Sequence, residues 1–531
     1  MKRKYYVLLM VCLILCSFLA AGCQKDQKSR IYNGQSSDVK TKQTKEDSGS
    51  GDITTDSSDG SVYQTYDGQS HDEIETYLKK AKEDKNILVW IVPTISQALV
   101  SEQALTDFNQ RLHALGTDVR LEICYLEESS YNAMLEKYTD EGYGDLCFTG
   151  LRYSNEDYFF LENMIKAGKY LNLNDRLKEK QWDKLKNVFT DYEWNSMKVK
   201  ENEIYAFPNQ NFFPRNSYIA FSKEVFQRKD LKAGHMKLED VSKYITPALK
   251  RTCGDRTLVW NMNYFDILNA LGIKDMDGYW ISHKTGQAVP AFSDAGYEKI
   301  QKMLHQYDEE GILYHKGNYL QQNTKSIKRI IKDKKFGIAV VTQCALLDKL
   351  SDIAYLVPLD YYYDGDYSQA TAVLANSAKS EQCLSLLYQL YTDKALGNLL
   401  CLGQKGEDYE LKDGLAVDED GEPKIAAYLK NIFGILDCVY SNEKEYFGKD
   451  ISKTKEKYFT DKRFHESVLN GVRLDYSRVH LEDLEERYEG DLMMWKKKNF
   501  KSILEKEKSY FETAEKKNVD ELNNQISQRI K

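Results

Sequence analysis

Between residues 87 and 150 the chain switches repeatedly between two periodicities, and that alternation limits the folds open to it. ILVWIVP (Ile87–Pro93) is a short, unbroken apolar run rich in β-branched residues, the pattern of a buried strand. SEQALTDFNQRLHALG follows, with Leu105, Phe108 and Leu112 at helical spacing and Gly116 as a natural stop. DVRLEICYLE reads as a second strand, SSYNAMLEKYTDEGYG as a second helix ended by Gly142 and Gly144, and DLCFTG as a third strand. Strand, helix, strand with short connections predicts βαβ units, hence a parallel sheet covered by helices and an α/β class. In such sheets ligands sit beyond the carboxyl ends of the strands. That directs attention to Pro93–Ser96 and to Thr149–Arg152.

A second α/β segment follows. EIYAFPNQNFFPRNSYIAFSKEVF (Glu203–Phe226) reads as an extended crossing segment holding Pro208 and Pro214, then a strand and the start of a helix. KKFGIAVVTQC (Lys334–Cys344) predicts another strand, and IAYLVPLDYYYDGD (Ile353–Asp366) another extended run. SEQCLSLLYQLYTDKALGNLL predicts helix, as does the charged series from about His480 to Lys531, where Leu522, Ile526 and Ile530 share one face. A short helix is expected over DEIETYLKKAKEDKN, where the folded body begins near Asp72.

The N-terminus follows a different logic. Lys2, Arg3 and Lys4 precede an apolar run, Tyr5 to Phe18, and then the small residues Ala20, Ala21 and Gly22. This is the three-part layout of a secretory signal, and it is shorter than the roughly 20 apolar residues of a spanning helix. Gln24 to about Ser70 is rich in Ser, Thr, Asp, Gly and Lys, with almost nothing to bury, and is expected to be a disordered tether.

The chain has 531 residues, length for two or three domains, with 42% hydrophobic and 29% charged residues, a globular balance. A net charge of −8 argues against nucleic acid as a partner. After Cys12, Cys16 and Cys23, seven scattered cysteines remain, with no CxxC spacing. They read as small buried apolar residues, and an odd number excludes complete pairing within one chain. No GxSxG, HExxH, GxxxxGK[ST] or GxGxxG occurs, and the eight histidines are dispersed. The sequence therefore names no catalytic residue, no metal ligand and no cofactor.

Several stretches, in order, resemble the extracellular solute-binding lipoproteins of bacterial ABC importers, in particular their large carbohydrate-type group. LAAGC (Leu19–Cys23) resembles a lipobox, with Leu one place early. NILVWIVP with DFNQRL resembles the first strand and helix, and YGDLCFTG a later strand, with Gly144-Asp145 as a departure. AGKYLNLNDRL (Ala167–Leu177) and WNSMKVKENEIYAFPNQ (Trp194–Gln210) fit as well. The strongest match is LANSAKSEQCLSLLYQLYTDKALGNLLCLGQKGEDYEL (Leu374–Leu411), similar to a subgroup with its own C-terminal domain, whose last helix AEKKNVDELNNQISQRI (Ala514–Ile530) resembles.

The resemblance implies a two-lobed periplasmic-binding-protein-like fold with a hinge, plus a helical C-terminal region. Expected boundaries are 1–22 for the signal peptide, 23–71 for the tether and 72–205 for the first α/β lobe with part of 340–375. The second lobe is expected over 206–340, completed by a helical region over 376–531. The implied function is capture of an oligosaccharide or similar polar solute by a monomer, acylated at Cys23, held on the outer face of the cell membrane beside ABC permease subunits. A multiply acylated cysteine would hold it there without a spanning helix. The other readings are a surface lipoprotein enzyme acting on glycans and a ligand-sensing lipoprotein reporting to a sensor kinase.

Sugar-type ligands need aromatic faces and planar hydrogen-bonding groups. The candidates at strand ends and crossings are Thr94, Thr149 and Arg152, then Asn209, Asn211 and Arg215. WNMNY contributes Trp260, Asn261 and Tyr264, and later strand ends contribute Gln343, Tyr361 and Tyr362, with Tyr363 completing the run. For Trp260 core packing is an equal expectation, and alternation along 361–363 must turn some rings away from any cleft.

Overall fold

The computed structural model describes residues 64–65, 71–95, 99–151, 160–199, 202–209, 217–231, 234–245, 258–261, 264–276, 279–290, 295–314, 332, 336–342, 347–363, 369–412, 414–419, 421, 424, 429, 432–435, 459–461, 463–474, 478–479 and 499–530. The signal-like run, Cys23 and most of the expected tether lie outside them, but Gln64–Thr65, inside the expected tether, pair with Ile123 and Cys124 instead of staying unstructured. Among the described residues no helix is long and apolar enough to cross a membrane.

Gln64–Thr65 forms a short strand, β1, and His71–Glu83 a helix, α1. Ile87–Thr94, β2, is buried along its whole length, as a strand with helices on both faces must be. Glu102–Ala114, α2, starts where the Ser101 hydroxyl accepts from the Ala104 N–H at 3.3 Å, and buries Ala104, Leu105, Phe108 and Leu112. Arg120–Glu127 is β3, Tyr131–Asp140 is α3 and Leu146–Phe148 is β4. The strands lie in the order β1, β3, β2, β4, all parallel. Phe160–Lys166, α4, and Asp191–Met197, α5, add to this lobe. Thr190 and Glu193 close the start of α5 with a reciprocal capping box.

The chain then crosses to a second lobe. Ser217–Ser222 is β5, Leu258–Asn261 is β6 and Tyr264–Leu271 is α6. Ile273–Met276, Tyr279–Ser282 and Ala288–Pro290, β7 to β9, form a small antiparallel sheet. Ala295–Glu309 is α7, Leu313–Tyr314 is β10, Ile338–Thr342 is β11, Leu347–Ile353 is α8 and Ala354–Pro358 is β12. The second sheet runs β10, β6, β11, β5, β12, with β5 antiparallel to both neighbours. No helix starts after β5: residues 223–225 turn, and a 3-10 turn occupies Arg228–Asp230.

Tyr361–Tyr363, β13, leads back, and Thr371–Val373, β14, joins the free edge of β4 antiparallel. Each sheet thus contains one reversed strand next to parallel ones. In each it is the strand that enters from the other lobe.

The C-terminal part divides differently from the expectation that residues 376–531 are helical and complete the second lobe. Ser380–Thr392, α9, and Lys394–Cys401, α10, bury Cys383, Leu384, Leu387, Leu396 and Leu400 in the first core. Phe433 reaches the same core, its ring edge-on to Trp90 at 5.1 Å. The reason is covalent proximity: α9 starts seven residues after β14, and its apolar face covers the nearest sheet. Glu410–Lys412 and Leu415–Val417, β15 and β16, make a hairpin, and Phe464–Glu466, β17, pairs in parallel with β13. Phe500–Ala514, α11, and Lys516–Arg529, α12, enter the second core through Phe500, Leu504, Leu522 and Ile526, and Leu469, Leu474 and Val479 join them there. The described cysteines Cys124, Cys147, Cys383 and Cys401 are buried thiols, and burial pushes Cys147 up to about 12.

Candidate functional site

The two crossing segments run from the carboxyl edge of one sheet to the carboxyl edge of the other. In the first lobe Thr94 ends β2 opposite Glu127, and Thr149 follows β4. In the second lobe Asn261 ends β6 in register with Val341, Thr342 lies opposite Ser217, and Pro358 opposite Tyr218. The two crossing segments leave from these edges and hold each other at both ends. On the first lobe the Phe207 N–H donates to Thr371 O at 2.7 Å, and the Thr371 N–H donates back at 3.2 Å. On the second lobe the Leu359 N–H donates to Ser217 O at 2.9 Å. A space beyond the carboxyl ends of two parallel-type sheets, bounded by their crossings, is where such folds take ligands.

The C-terminal segment around β17 is a third tie between the lobes. Toward the first lobe, Asn470 Nδ2 donates to Tyr192 O at 2.9 Å, and Arg473 pairs with Glu162 at 2.8 Å, both half-buried to buried. Gly471, at φ +76, packs so closely that a Cβ there would stand 3.0 Å from Asn195 O. Toward the second lobe, the Val468 N–H donates to His283 O at 2.9 Å, and His283 Nδ1 shares a hydrogen bond with Ser467 Oγ at 2.8 Å. Residues 463–474 therefore act as a strap across the crossing.

The strap explains where the tyrosine run goes. Tyr361 is buried, its ring 5.9 Å from Phe464. Tyr362 stacks on His283 (5.6 Å, 11° between planes) and on His465 (4.9 Å, 26°). Its ring, half-buried, is thus already in use by two imidazoles. Burial first, and then the charge of Asp360, raise its hydroxyl above the usual phenol range. Tyr363 stays half-buried, 6.2 Å from the Phe459 ring, which packs in turn on Phe464 and Tyr192. The Tyr192 hydroxyl donates to Tyr363 O.

The other candidates separate clearly. Thr149 is fully buried and bonded to the Ala370 backbone, and Thr94 and Asn209 are buried. Asn209 sits where the C-terminal part returns: a Cβ on Gly434 would lie 3.8 Å from its Cα and 3.9 Å from Thr371 Oγ1. Trp260 and Asn261 close β6, and Tyr264 opens α6. Arg152, Asn211, Arg215 and Gln343 lie outside the described residues. The sequence reading missed Tyr192, Phe459, Phe464 and His465. Their meeting depends on β17 docking on β13, and no motif marks it. Among the described residues no group of three His, Cys, Asp or Glu is arranged to hold a metal ion.

No family model matches the sequence, and no curated protein matches it. Solved structures do. The N-glycan transport solute binding protein NgtS from Streptococcus pneumoniae is similar over 84% of this chain and 99% of its own, at 15% identity and a TM-score of 0.52. An HMO-binding, ABC-transporter-associated solute binding protein from Bifidobacterium longum infantis matches 85% of this chain and 100% of its own, at 14% identity and a TM-score of 0.46. Alginate-binding protein AlgQ2, solved without calcium, matches 84% and 99%, at 11% identity and a TM-score of 0.46. The last two, below one-half, add no weight. At these identities the likeness concerns architecture, and the chain has the two-lobed α/β fold of solute-binding proteins.

Proposed function

We propose that this chain captures a carbohydrate, of oligosaccharide size, in the space between its lobes and delivers it to an ABC importer. The observation that carries the reading is the pair of crossings joining two sheets at their carboxyl edges, in a fold shared with a protein named for N-glycan transport. A half-buried aromatic cluster, Tyr363, Phe459 and Phe464, lies beside those crossings, the residue type a sugar ring stacks on. The chain acts by reversible binding and not by catalysis. Acylation at Cys23 holds it on the outer face of the membrane, as a monomer beside permease subunits, with the tether giving it reach.

The test is a thermal-shift screen of the soluble chain beginning ahead of β1, whose pairing with β3 belongs to the first sheet. Oligosaccharides, monosaccharides, peptides and polyamines are compared, with chromatography of each ligand afterwards. A saturating rise with an oligosaccharide is expected, about 2.7 kcal/mol of added stability at a hundredfold excess over Kd. A flat response to every sugar removes carbohydrate capture, and a sugar consumed during incubation overturns binding in favour of catalysis.

A further inference from the structure

Asp360 lies on the crossing out of the second lobe, between β12 and β13. Its Oδ1 is buried and meets no hydrogen-bond donor among the described residues. A buried carboxyl oxygen left so is costly, and a native chain that keeps one calls for a reason. Two imidazoles supply it. His235 Nε2 stands 3.6 Å from Oδ1, and His465 Nε2 stands 3.6 Å from Oδ2. Both distances are beyond hydrogen bonding yet within ion-pair range.

The two rings come from different segments. His235 precedes Met236, whose N–H donates to Pro358 O at 3.0 Å, so it belongs to the second lobe. His465 is the centre of β17, in the strap that Tyr192, Gly471 and Arg473 fix to the first lobe. The neighbouring titratable groups have other partners. His283 is buried and bonded to Ser467. Asp240, behind His235, accepts from the Lys237 N–H and from Lys243. On the strap Arg463 pairs with Asp461, and Glu466 stands opposite Tyr363. Tyr362, beside Asp360 and stacked on His465, is held neutral. Among the described residues no lysine or arginine pairs with Asp360, and no metal-holding arrangement includes it.

We propose that Asp360, His235 and His465 form a proton-operated latch on the crossing between the lobes. A histidine takes up its proton between about pH 8 and pH 5. With neutral rings the contacts at 3.6 Å stay open. With both nitrogens of a ring protonated, each imidazolium faces one oxygen of the Asp360 side chain. The strap and the 235 segment are then tied to the crossing from two sides. The tie is present at acid pH and is lost as pH rises. The latch stands on the hinge geometry alone; its effect on solute capture rests on the function proposed above.

Hydrogen exchange by mass spectrometry on the ligand-free protein tests it, at about pH 5.5 and about pH 7.5 with intrinsic rates corrected. Peptides spanning 355–363 and 463–474 are expected to exchange about threefold more slowly at the lower pH, the gain of one or two exposed ion pairs. Peptides of β2 are expected not to change. Asp360→Asn should abolish the difference, and His235→Gln and His465→Gln should each remove part of it. If Asp360→Asn does not fold, the double histidine variant takes its place. Equal protection at both pH values, or a difference that survives these variants, overturns the latch. No ligand is used, so either outcome leaves carbohydrate capture to its own test.

Discussion

Thr149 and Ala370 hold each other twice: the Thr149 N–H donates to Ala370 O at 2.9 Å, and the Ala370 N–H donates to Thr149 Oγ1 at 2.9 Å. The pair fastens the carboxyl end of β4 to the last step of the returning crossing. The threonine hydroxyl is thereby committed to backbone. Thr149→Val keeps the shape of the side chain but leaves a buried N–H without its acceptor. A loss of about 1–3 kcal/mol is expected in urea unfolding, with Thr149→Ser close to the parent.

Glu122 gives the first core a pH dependence of definite sign. It lies inside β3, fully buried, with Arg120 Nε at 2.9 Å from one oxygen. Burial pushes its carboxyl up to about 8, against the pull of Lys379. Between about pH 5 and pH 8 the unfolded chain has released this proton while the folded chain keeps it. The unfolded state binds fewer protons, so stability falls as pH rises through this window. Denaturant midpoints at both ends are expected to show that fall, and Glu122→Gln is expected to flatten it.

Two left-handed glycines separate conformation from contact. Gly116, at φ +87, has nothing within 4 Å of the point where a methyl group would stand, whereas at Gly471 that methyl would meet two backbone carbonyls at 3.0 and 3.1 Å. Gly116→Ala should cost only the left-handed penalty of about 1–2 kcal/mol. Gly471→Ala should cost more and should also loosen the strap, seen as faster amide exchange in residues 463–474.

Tyr279 anchors the turn between α11 and α12. Its hydroxyl donates to Glu515 Oε2 at 2.6 Å, and Asn518 Nδ2 donates to both oxygens, at 2.8 and 2.7 Å. Glu515 is buried. Tyr279→Phe removes a hydrogen bond to a charged acceptor, worth about 1.5–3 kcal/mol. Exchange over residues 500–529 should rise ahead of global unfolding.

How much of this was legible in the sequence differs by element. Strand β2 was plain, because its apolar run is short and rich in β-branched residues, which separates it from a buried helix. Helix α2 was equally plain, since Leu105, Phe108 and Leu112 mark the face that the structure buries. The amphipathic pattern of α9 announced a helix but not which sheet it covers, because a pattern defines a face and not its partner. The tyrosine run at 361–363 read as part of an extended run, and it forms β13. Which of its rings is already in use was hidden, since Tyr362 stacks on His283 and on His465, residues distant in sequence from it and from each other.

The pairing of β14 with β4 has a consequence for the order in which the molecule is completed. Phe148 and Thr371 are direct partners, and every strand of the second sheet lies between them in the chain. A polypeptide emerging N-terminus first therefore displays the open edge of β4 until the second sheet has been synthesised. Pairings between distant segments close slowly, and open strand edges invite wrong partners while they wait. The first sheet is thus begun before the second and completed after it. An unpaired strand edge therefore stays exposed for the whole time the second sheet is being made.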